Sequence, residues 1–322
     1  MRIQSMRKRS NRMNERMSFS EEIKQQALAL GFDACGICRA VDSGEEARYL
    51  AWIGENCHGG MDYLARNIDK RIDPRLLVDG AQSIISVALN YYPPLKLSGK
   101  VPQFAYYAYG RDYHEVMREK LGSLFNWIKD RFPEVSGRYF SDSAPVLERF
   151  WAAQAGIGFV GKNTLLIIPG KGSYFFLGEL IIDLELDYDT PVSENCGECR
   201  RCLNSCPTGA LEKPHWLNAR KCISYQTIEN KGEISPDIVP NLRNNVYGCD
   251  ICQKVCPWNR GAIPHTTPEF LPSEAFMSLN LDTLTGMDEE GFRDIFRHSA
   301  VKRAKFAGLK RNAAAISKTR RK

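Results

Sequence analysis

Apolar positions follow two different spacings along the first part of the chain. Ser18 and Glu21 have the spacing of a capping box, and the apolar positions after them predict a first helix that ends at Gly31. Helical spacing also predicts helices over residues 113–129 and 146–155. A Pro-Gly-Lys-Gly turn joins the last two of the strands that apolar runs predict, at residues 83–92, 138–143, 165–168 and 174–186.

The remaining chain changes character twice. Residues 191–262 are rich in Cys, Pro, Gly and Asn, so we expect a metal rather than a large apolar core to stabilise them. Residues 263–322 show helical spacing, with apolar positions among basic ones. We therefore predict an α+β fold class: a mixed α/β domain over residues 18–190, a ferredoxin-like domain over 191–262 and a short helical segment over 263–322.

Charge is concentrated at the two ends of the chain. The net charge is +6, but residues 1–17 carry +5 and residues 302–322 carry +9, which leaves −8 for the rest. Basic ends on an acidic body are a possible footprint for nucleic acid, and solubilising ends without a partner are an equally good interpretation. We expect residues 1–17 to be a disordered extension.

The cysteine content suggests the compartment and the kind of chemistry. No run of about 20 mostly apolar residues could span a membrane, and no apolar signal core follows the basic N-terminus, so we expect a cytoplasmic protein. Eleven cysteines in a reducing compartment favour metal or redox chemistry over disulfides. Of these, Cys35 and Cys38 lie on a predicted strand, and we interpret them with Cys57 as buried small apolar residues.

Eight cysteines form two linked motifs. The first motif is Cys-x2-Cys-x2-Cys-x3-Cys-Pro, the run of bacterial ferredoxins, in which the fourth cysteine ligates the other cluster. The second motif lacks its first cysteine, which Cys222 can supply. We therefore predict two [4Fe-4S] clusters, one held by Cys196, Cys199, Cys202 and Cys256 and the other by Cys206, Cys222, Cys249 and Cys252. Structural zinc is the weaker alternative, because zinc ribbons do not need Cys-x3-Cys-Pro.

Several further motifs together resemble those of the epoxyqueuosine reductases. The resemblance extends from about residue 20 to 315, and it joins the eight-cysteine layout to an acidic turn motif. The segments that carry it are SDSAPVLER at 141–149, GIGFVGKN at 156–163, GGMDYL at 59–64, YGRDYH at 109–114 and CDICQKVCPWN at 249–259. The glycines of 156–161 follow a helix pattern rather than a strand, so we do not interpret them as a dinucleotide fingerprint.

The resemblance implies an activity and a second cofactor. Members reduce epoxyqueuosine to queuosine at the wobble position of tRNA anticodons, the last step of queuosine biosynthesis. They bind cobalamin in the N-terminal domain, here residues 18–190, close enough to one cluster to be reduced by it. The alternative function is that of a corrinoid iron-sulfur reductase acting on another substrate, as in the dehalogenases.

Asp142 matches the proton donor of the family by its place in the motif Ser-Asp-Ser-Ala-Pro. An acid that protonates an epoxide at neutral pH needs a raised pKa, which an apolar pocket walled by the corrin would provide. The structural alternative is an N-cap for the following helix, although Ser143 or Pro145 fits that task better. We interpret Glu148 and Arg149 as a structural ion pair.

The resemblance also suggests residues that contact the cofactor and the substrate. Candidates for cofactor contacts are Arg66, Tyr106, Ala108, Gly161, Lys162, Asn163, Thr164, Leu165, Leu166, Ser224, Tyr225 and Trp258. Candidates for tRNA contacts are Tyr109, Arg111, His114, Lys302, Arg303, Lys305, Lys310 and Arg311. We expect a monomer that receives electrons from an external donor such as ferredoxin or flavodoxin.

Overall fold

The computed structural model describes residues 17–320, so the extension predicted for residues 1–17 lies, apart from Met17, outside the described part. The strands are β1 (Ala34–Arg39), β2 (Ser83–Asn90), β3 (Gln103–Phe104), β4 (Gly137–Phe140), β5 (Phe159–Val160), β6 (Leu166–Ile167), β7 (Phe175–Ile182), β8 (Leu211–Lys213), β9 (Trp216–Leu217) and β10 (Asn245–Tyr247).

The α-helices lie before, between and after these strands. They are α1 (Phe19–Ala29), α2 (Glu46–Gly54), α3 (Ile68–Ile72), α4 (Tyr113–Lys129), α5 (Glu148–Gln154), α6 (Arg201–Ser205), α7 (Ile223–Ile228), α8 (Ile251–Lys254), α9 (Glu274–Met277), α10 (Leu281–Gly286), α11 (Glu289–Phe296) and α12 (Lys305–Arg320). Single turns of 3-10 helix occur at Asp62–Ala65, Pro74–Leu76, Tyr106–Ala108, Ala219–Lys221, Val239–Asn241, Pro257–Asn259, Pro268–Phe270 and Ala300–Ala304.

A four-stranded antiparallel sheet organises the N-terminal part. Its strand order is β1-β2-β7-β4, and its two central strands are buried along nearly their whole length. Alternate residues point to opposite faces: Ile85 and Leu180 share a core with α1 and α4, while Ile84 and Ile181 share one with α5. The α+β class predicted from the sequence is confirmed.

A glycine in β7 lets α4 lie close to the sheet. A Cβ atom at Gly178 would come within 2.8 Å of Leu121 and Met117, which are buried side chains of α4. The bounds of α4 match the helix predicted at residues 113–129. At the start of α1 only half of the predicted capping box forms: the Ser18 hydroxyl accepts from the Glu21 N–H at 3.4 Å, while the Glu21 carboxylate pairs with Lys24.

Two strand predictions need correction. The turn at 168–172 forms, but the strands on its two sides belong to different sheets, since β6 pairs with β5 and β7 with β2 and β4. The strand predicted at 138–143 ends at Phe140, because Asp142 adopts a left-handed backbone with φ of 54°. The helix predicted from residue 146 begins at Glu148.

The C-terminal helices pack on both preceding parts of the chain. One apolar cluster joins Phe296 and Leu309 of these helices to Phe104, Tyr109 and Tyr247. A short parallel pair between β3 and β10 links the same regions. Residues 18–190, 191–262 and 263–320 therefore share a core. Within the described residues, no helix is both long and apolar enough to cross a membrane.

Candidate iron-sulfur and catalytic site

The first predicted set of cysteines surrounds one small cavity. Cys196 and Cys199 lie on the loop before α6, Cys202 lies within α6, and Cys256 follows α8. The cavity between these four cysteines is completed by Lys162, Asn163, Ile167, Pro257 and Trp258. The Lys162 N–H donates to Cys196 Sγ at 3.4 Å, and the amide nitrogen of Asn163 is buried with no hydrogen-bond partner in the described part of the chain. These are suitable donors to cluster sulfur atoms.

In the second predicted set, Cys222 at the start of α7 lies near Cys249 and Cys252 at the start of α8, and all three are partly exposed. Burial, together with the nearby thiols of Cys249, Cys222 and Cys206, raises the pKa of Cys252 well above its usual value. Burial likewise raises the pKa of Cys249 to about 12. Thiols in such surroundings become thiolates only when a positive centre compensates the charge, and bound iron provides one. The donor chemistry of this set therefore fits an iron-sulfur cluster.

Asp142 lies on the turn between β4 and α5. Its carboxylate is 65% exposed, accepts from the Tyr113 hydroxyl at 2.5 Å, and lies 3.8 Å from His114 Nε2. Burial and the neighbouring Asp142 raise the pKa of Tyr113 well above its usual value, so the phenol stays protonated and donates. The capping alternative is wrong, because the N-cap position of α5 is Leu147 and no side chain caps this helix.

The ion pair predicted between Glu148 and Arg149 does not form within residues 17–320. Glu148 Oε1 instead accepts from the Asp142 N–H at 2.5 Å, and Arg149 Nη1 donates to the Thr164 carbonyl at 2.7 Å. Neighbouring residues at the start of α5 thus reach two different loops. Arg149 connects the Asp142 region to the loop that includes the candidate cofactor residues 161–166.

That loop is the tight connection between β5 and β6. The Gly161 N–H donates to the Leu165 carbonyl at 2.8 Å, and Thr164 has a left-handed φ of 68°. The Lys162 ammonium group donates to the Gly197 carbonyl beside the first cysteine set. Leu166 is buried in a core with Ala152 of α5. The loop therefore contacts both the cysteine region and the Arg149 side of the Asp142 turn.

The other candidate cofactor residues are spread over several elements. Tyr225 accepts from the Gly60 N–H at 2.7 Å, and the Trp258 ring lies 5.4 Å from that of Phe159. Ser224 precedes Tyr225 on α7, and Arg66 is exposed. Tyr106 and Ala108 are buried in the apolar core shared with the C-terminal helices, at 8% and 1% exposure. An alanine side chain offers no ligand atom to cobalt.

Most of the candidate tRNA contacts are occupied within the protein. Tyr109 is 2% exposed, and Arg111 pairs with Glu115 and Glu119. Lys302 pairs with Asp112 at 2.9 Å, and Arg303 pairs with Glu229. Arg311 donates to the carbonyls of Gln226, Asn230 and Gly232.

Glu148 and Glu179 are the functional candidates that sequence reasoning missed. Glu179 is fully buried, and neither of its carboxyl oxygens has a hydrogen-bond partner among the described residues. A charged residue inside the apolar run Phe175–Ile182 was the signal available in the sequence. For Glu148 no comparable signal exists, because its contact with Asp142 depends on the shape of the turn.

Two cysteine sets suited to [4Fe-4S] clusters, beside a carboxylate that faces outward, define an iron-sulfur oxidoreductase. The family model described as epoxyqueuosine reductase QueG, DUF1730, matches residues 71–143, and a 4Fe-4S double cluster binding domain matches residues 195–259. The epoxyqueuosine reductase of Leadbetterella byssophila is 49% identical over 302 residues, which cover 92% of this chain and 98% of that protein. The chain belongs to the epoxyqueuosine reductase family.

Solved structures of the family have the same fold. An epoxyqueuosine reductase with an epoxyqueuosine-modified tRNA-Tyr stem loop is 32% identical, with a TM-score of 0.87 over 94% of this chain and 81% of that one. The enzyme from Bacillus subtilis is 31% identical, with a TM-score of 0.86 and the same coverage. Its structure is described with a catalytic aspartate loop swung out of the active site. These relatives favour the first predicted function over the dehalogenase-like alternative.

Proposed function

We propose that this chain reduces epoxyqueuosine to queuosine at the wobble position of tRNA anticodons, using two [4Fe-4S] clusters and cobalamin. The observation that carries the proposal is the combination of two cysteine sets and the exposed Asp142 carboxylate in a chain of this family. Removing the epoxide oxygen as water takes two electrons and two protons. The proposal assigns the electrons to the clusters and cobalamin, one proton to Asp142 and the second proton to solvent water.

Candidate cofactor residues adjoin both cysteine sets. Lys162, Asn163 and Trp258 line the cavity of the first set, and Ser224 and Tyr225 follow Cys222 of the second set on α7. We therefore place both clusters between an external donor, such as ferredoxin or flavodoxin, and the cobalamin.

The fit to cobalamin rests on the Asp142 turn and the 161–166 loop. The carboxylate is mostly exposed, so the protein alone does not provide the apolar surroundings that a proton donor needs at neutral pH. A large planar group covering the turn would provide them, and Thr164, Tyr225 and Trp258 would contact it. Cobalamin bound there would supply a reduced metal centre for the two-electron reduction of the epoxide.

Asp142 would donate its proton to the epoxide oxygen. The Tyr113 hydroxyl remains bonded to Asp142 Oδ2 and stabilises the carboxylate left behind. The left-handed backbone at Asp142 turns its side chain away from the sheet and toward solvent. This geometry suits a donor that meets a substrate arriving from outside.

The tRNA would approach the same face. Tyr63 is 43% exposed, the Arg303 guanidinium lies 5.8 Å from its ring centroid, and both the pKa of Tyr63 and that of Arg303 respond to the charge of Asp142. An exposed aromatic ring with a neighbouring cation is suited to stacking an unpaired base. We propose that this face receives the anticodon loop.

Turnover by the purified protein tests the proposal. The iron-loaded protein is incubated without oxygen with an epoxyqueuosine-containing stem loop, a chemical reductant and either added cobalamin or none. We expect queuosine only when cobalamin is present, with nucleosides identified by mass spectrometry. Equal conversion without any corrinoid would contradict the cobalamin assignment, and no conversion with corrinoid and clusters bound would contradict the reaction.

A further inference from the structure

Two acidic side chains, the half-buried Glu148 and the fully buried Glu179, lie behind the Asp142 turn and have no part in the reaction proposed above. Glu179 lies on the face of β7 that packs against α5, together with Ile181. Glu148 lies in the first turn of α5 and is close enough to Glu179 for the two charges to influence each other. A carboxyl group buried without hydrogen bonds is costly, and the cost is greatest when it is ionised.

Glu148 holds the Asp142 turn by its main chain. Its Oε1 atom accepts from the Asp142 N–H at 2.5 Å, and Asp142 is one of the few non-glycine residues with a left-handed backbone. Such a backbone is strained and persists only where its surroundings hold it. Asp142 is thus fixed at two points, its N–H by Glu148 and its carboxylate by Tyr113.

We propose that Glu148, in its neutral form, is a positioning residue that latches the Asp142 turn. Ionisation would place a second negative charge beside the Asp142 carboxylate and loosen the turn. This inference rests on the proposed role of Asp142 as proton donor. It adds a pH-sensitive contact that governs where that donor points.

The groups around Glu148 favour its neutral form. Burial, followed by the charge of Asp142, raises the pKa of Glu148 to about 8, while the Asp142 N–H, Arg149 and Arg71 oppose the rise. Burial and Glu148 raise the pKa of Glu179 well above its usual value. The charged and titratable groups that face Glu148 from all sides are Asp142, Tyr113, Glu179, Arg149 and Arg71. Both shifts favour the protonated form of these two acids.

Two substitutions distinguish the hydrogen bond that Glu148 accepts from the effect of its charge. E148Q keeps an oxygen acceptor for the Asp142 N–H but does not titrate, while E148A removes the acceptor. Amide hydrogen exchange of residues 141–147 in the cluster-loaded protein measures how firmly the turn is held, and it does not depend on catalytic activity. In the wild-type protein we expect protection, corrected for the intrinsic pH dependence of exchange, to fall as the pH rises through about 8.

In E148Q we expect protection that does not change over this range, and in E148A loss of protection at every pH. Turnover by E148A should fall about 10- to 100-fold because the donor is misplaced, and E148Q should restore it at neutral pH. E289Q, which alters an exposed glutamate in the first turn of α11, is the matched control and should behave as wild type.

Wild-type protection in E148A, or the same pH response in E148Q as in wild type, would overturn the inference. The proposed role of Asp142 has its own test: full catalytic activity of D142N would contradict it. That result would leave the exchange measurement, and so the latch, unaffected.

Discussion

Asp142 combines features that rarely occur in one residue. Its backbone is left-handed, its N–H is bonded to Glu148, and its carboxylate is exposed and bonded to Tyr113. None of these contacts belongs to the cap of α5, although the residue lies just before that helix. The strain is therefore maintained for a purpose other than starting a helix, which supports a role in proton transfer.

Replacement of Asp142 by asparagine tests that role. D142N keeps the size of the side chain but has no proton to donate, so we expect kcat to fall about 10²- to 10⁴-fold, the usual range for a general acid. The measurement is single-turnover formation of queuosine in stem-loop substrate, with the visible absorption of the clusters confirming that they are bound. D130N, at the C-cap of α4, is a matched control. A D142N rate within a few-fold of wild type would refute the assignment.

Glu179 should make the stability of the protein depend on pH. Because burial raises its pKa above the ordinary value of 4.5, the folded protein keeps a proton that the unfolded chain has lost. The free energy of unfolding should therefore fall as the pH rises above about 4.5. E179Q should remove much of this fall, as measured by denaturant unfolding across pH, while E134Q at an exposed position should not. An identical pH dependence in E179Q and wild type would contradict this account.

Sequence patterns predicted residues well where spacing alone determines chemistry. The cysteines that motif spacing assigned to one cluster line one cavity, since a metal cluster demands ligands at fixed separations. Spacing could not predict the contact of Glu148, because its partner is a main-chain N–H on a turn. The exposed arginine Arg303 was predicted to contact phosphate, yet it pairs with Glu229, a partner 74 positions away.

At the scale of elements, α4 was predicted with its correct bounds because its apolar face is continuous. The strand predicted at 138–143 was too long, because the pattern of apolar residues does not indicate that Asp142 adopts a left-handed backbone. Likewise, the predicted turn between the strands at 165–168 and 174–186 forms, but the pattern did not show that these strands pair in different sheets. Local periodicity predicts elements better than it predicts their partners.

Helix α12 shows how a basic segment can be structural. Arg311 donates to main-chain carbonyls within and just after α7, and Asn312 donates to the Thr227 and Val246 carbonyls. We expect R311A to lower the free energy of unfolding by about 2–3 kcal/mol, because it leaves partly buried carbonyls unpaired. The check is thermal and denaturant unfolding beside K318A on the same helix. Unchanged stability with weakened tRNA binding would instead favour the phosphate contact predicted from sequence.

At the scale of the whole molecule, the charge distribution should govern tRNA binding. Lys305 is exposed at the start of α12, near Lys231 and Arg303. We expect the affinity for an anticodon stem loop to fall with salt, and K305A to reduce the slope of log K against log salt by about 0.7, the value for one contact with a single strand. Fluorescence anisotropy across a salt series measures the slope. An affinity independent of salt would contradict a role for these basic residues in tRNA binding.

The C-terminal helices also make the molecule one unit. Their apolar side chains share a core with residues near Phe104 and with the segment that holds the second cysteine set. The sequence could not show this, because each segment has its own pattern and the shared core joins residues separated by some 200 positions. The consequence is that the region near Phe104 and the segment of the second cysteine set are held by a common framework.

Mass spectrometry of tRNA nucleosides tests the central claim most directly. A bacterial strain that lacks its own epoxyqueuosine reductase is supplied with cobalamin and made to express this chain or its D142N variant. The account predicts queuosine with the wild-type chain and accumulated epoxyqueuosine with D142N. Epoxyqueuosine that persists in the presence of the wild-type chain, with its clusters and cobalamin bound, would contradict it.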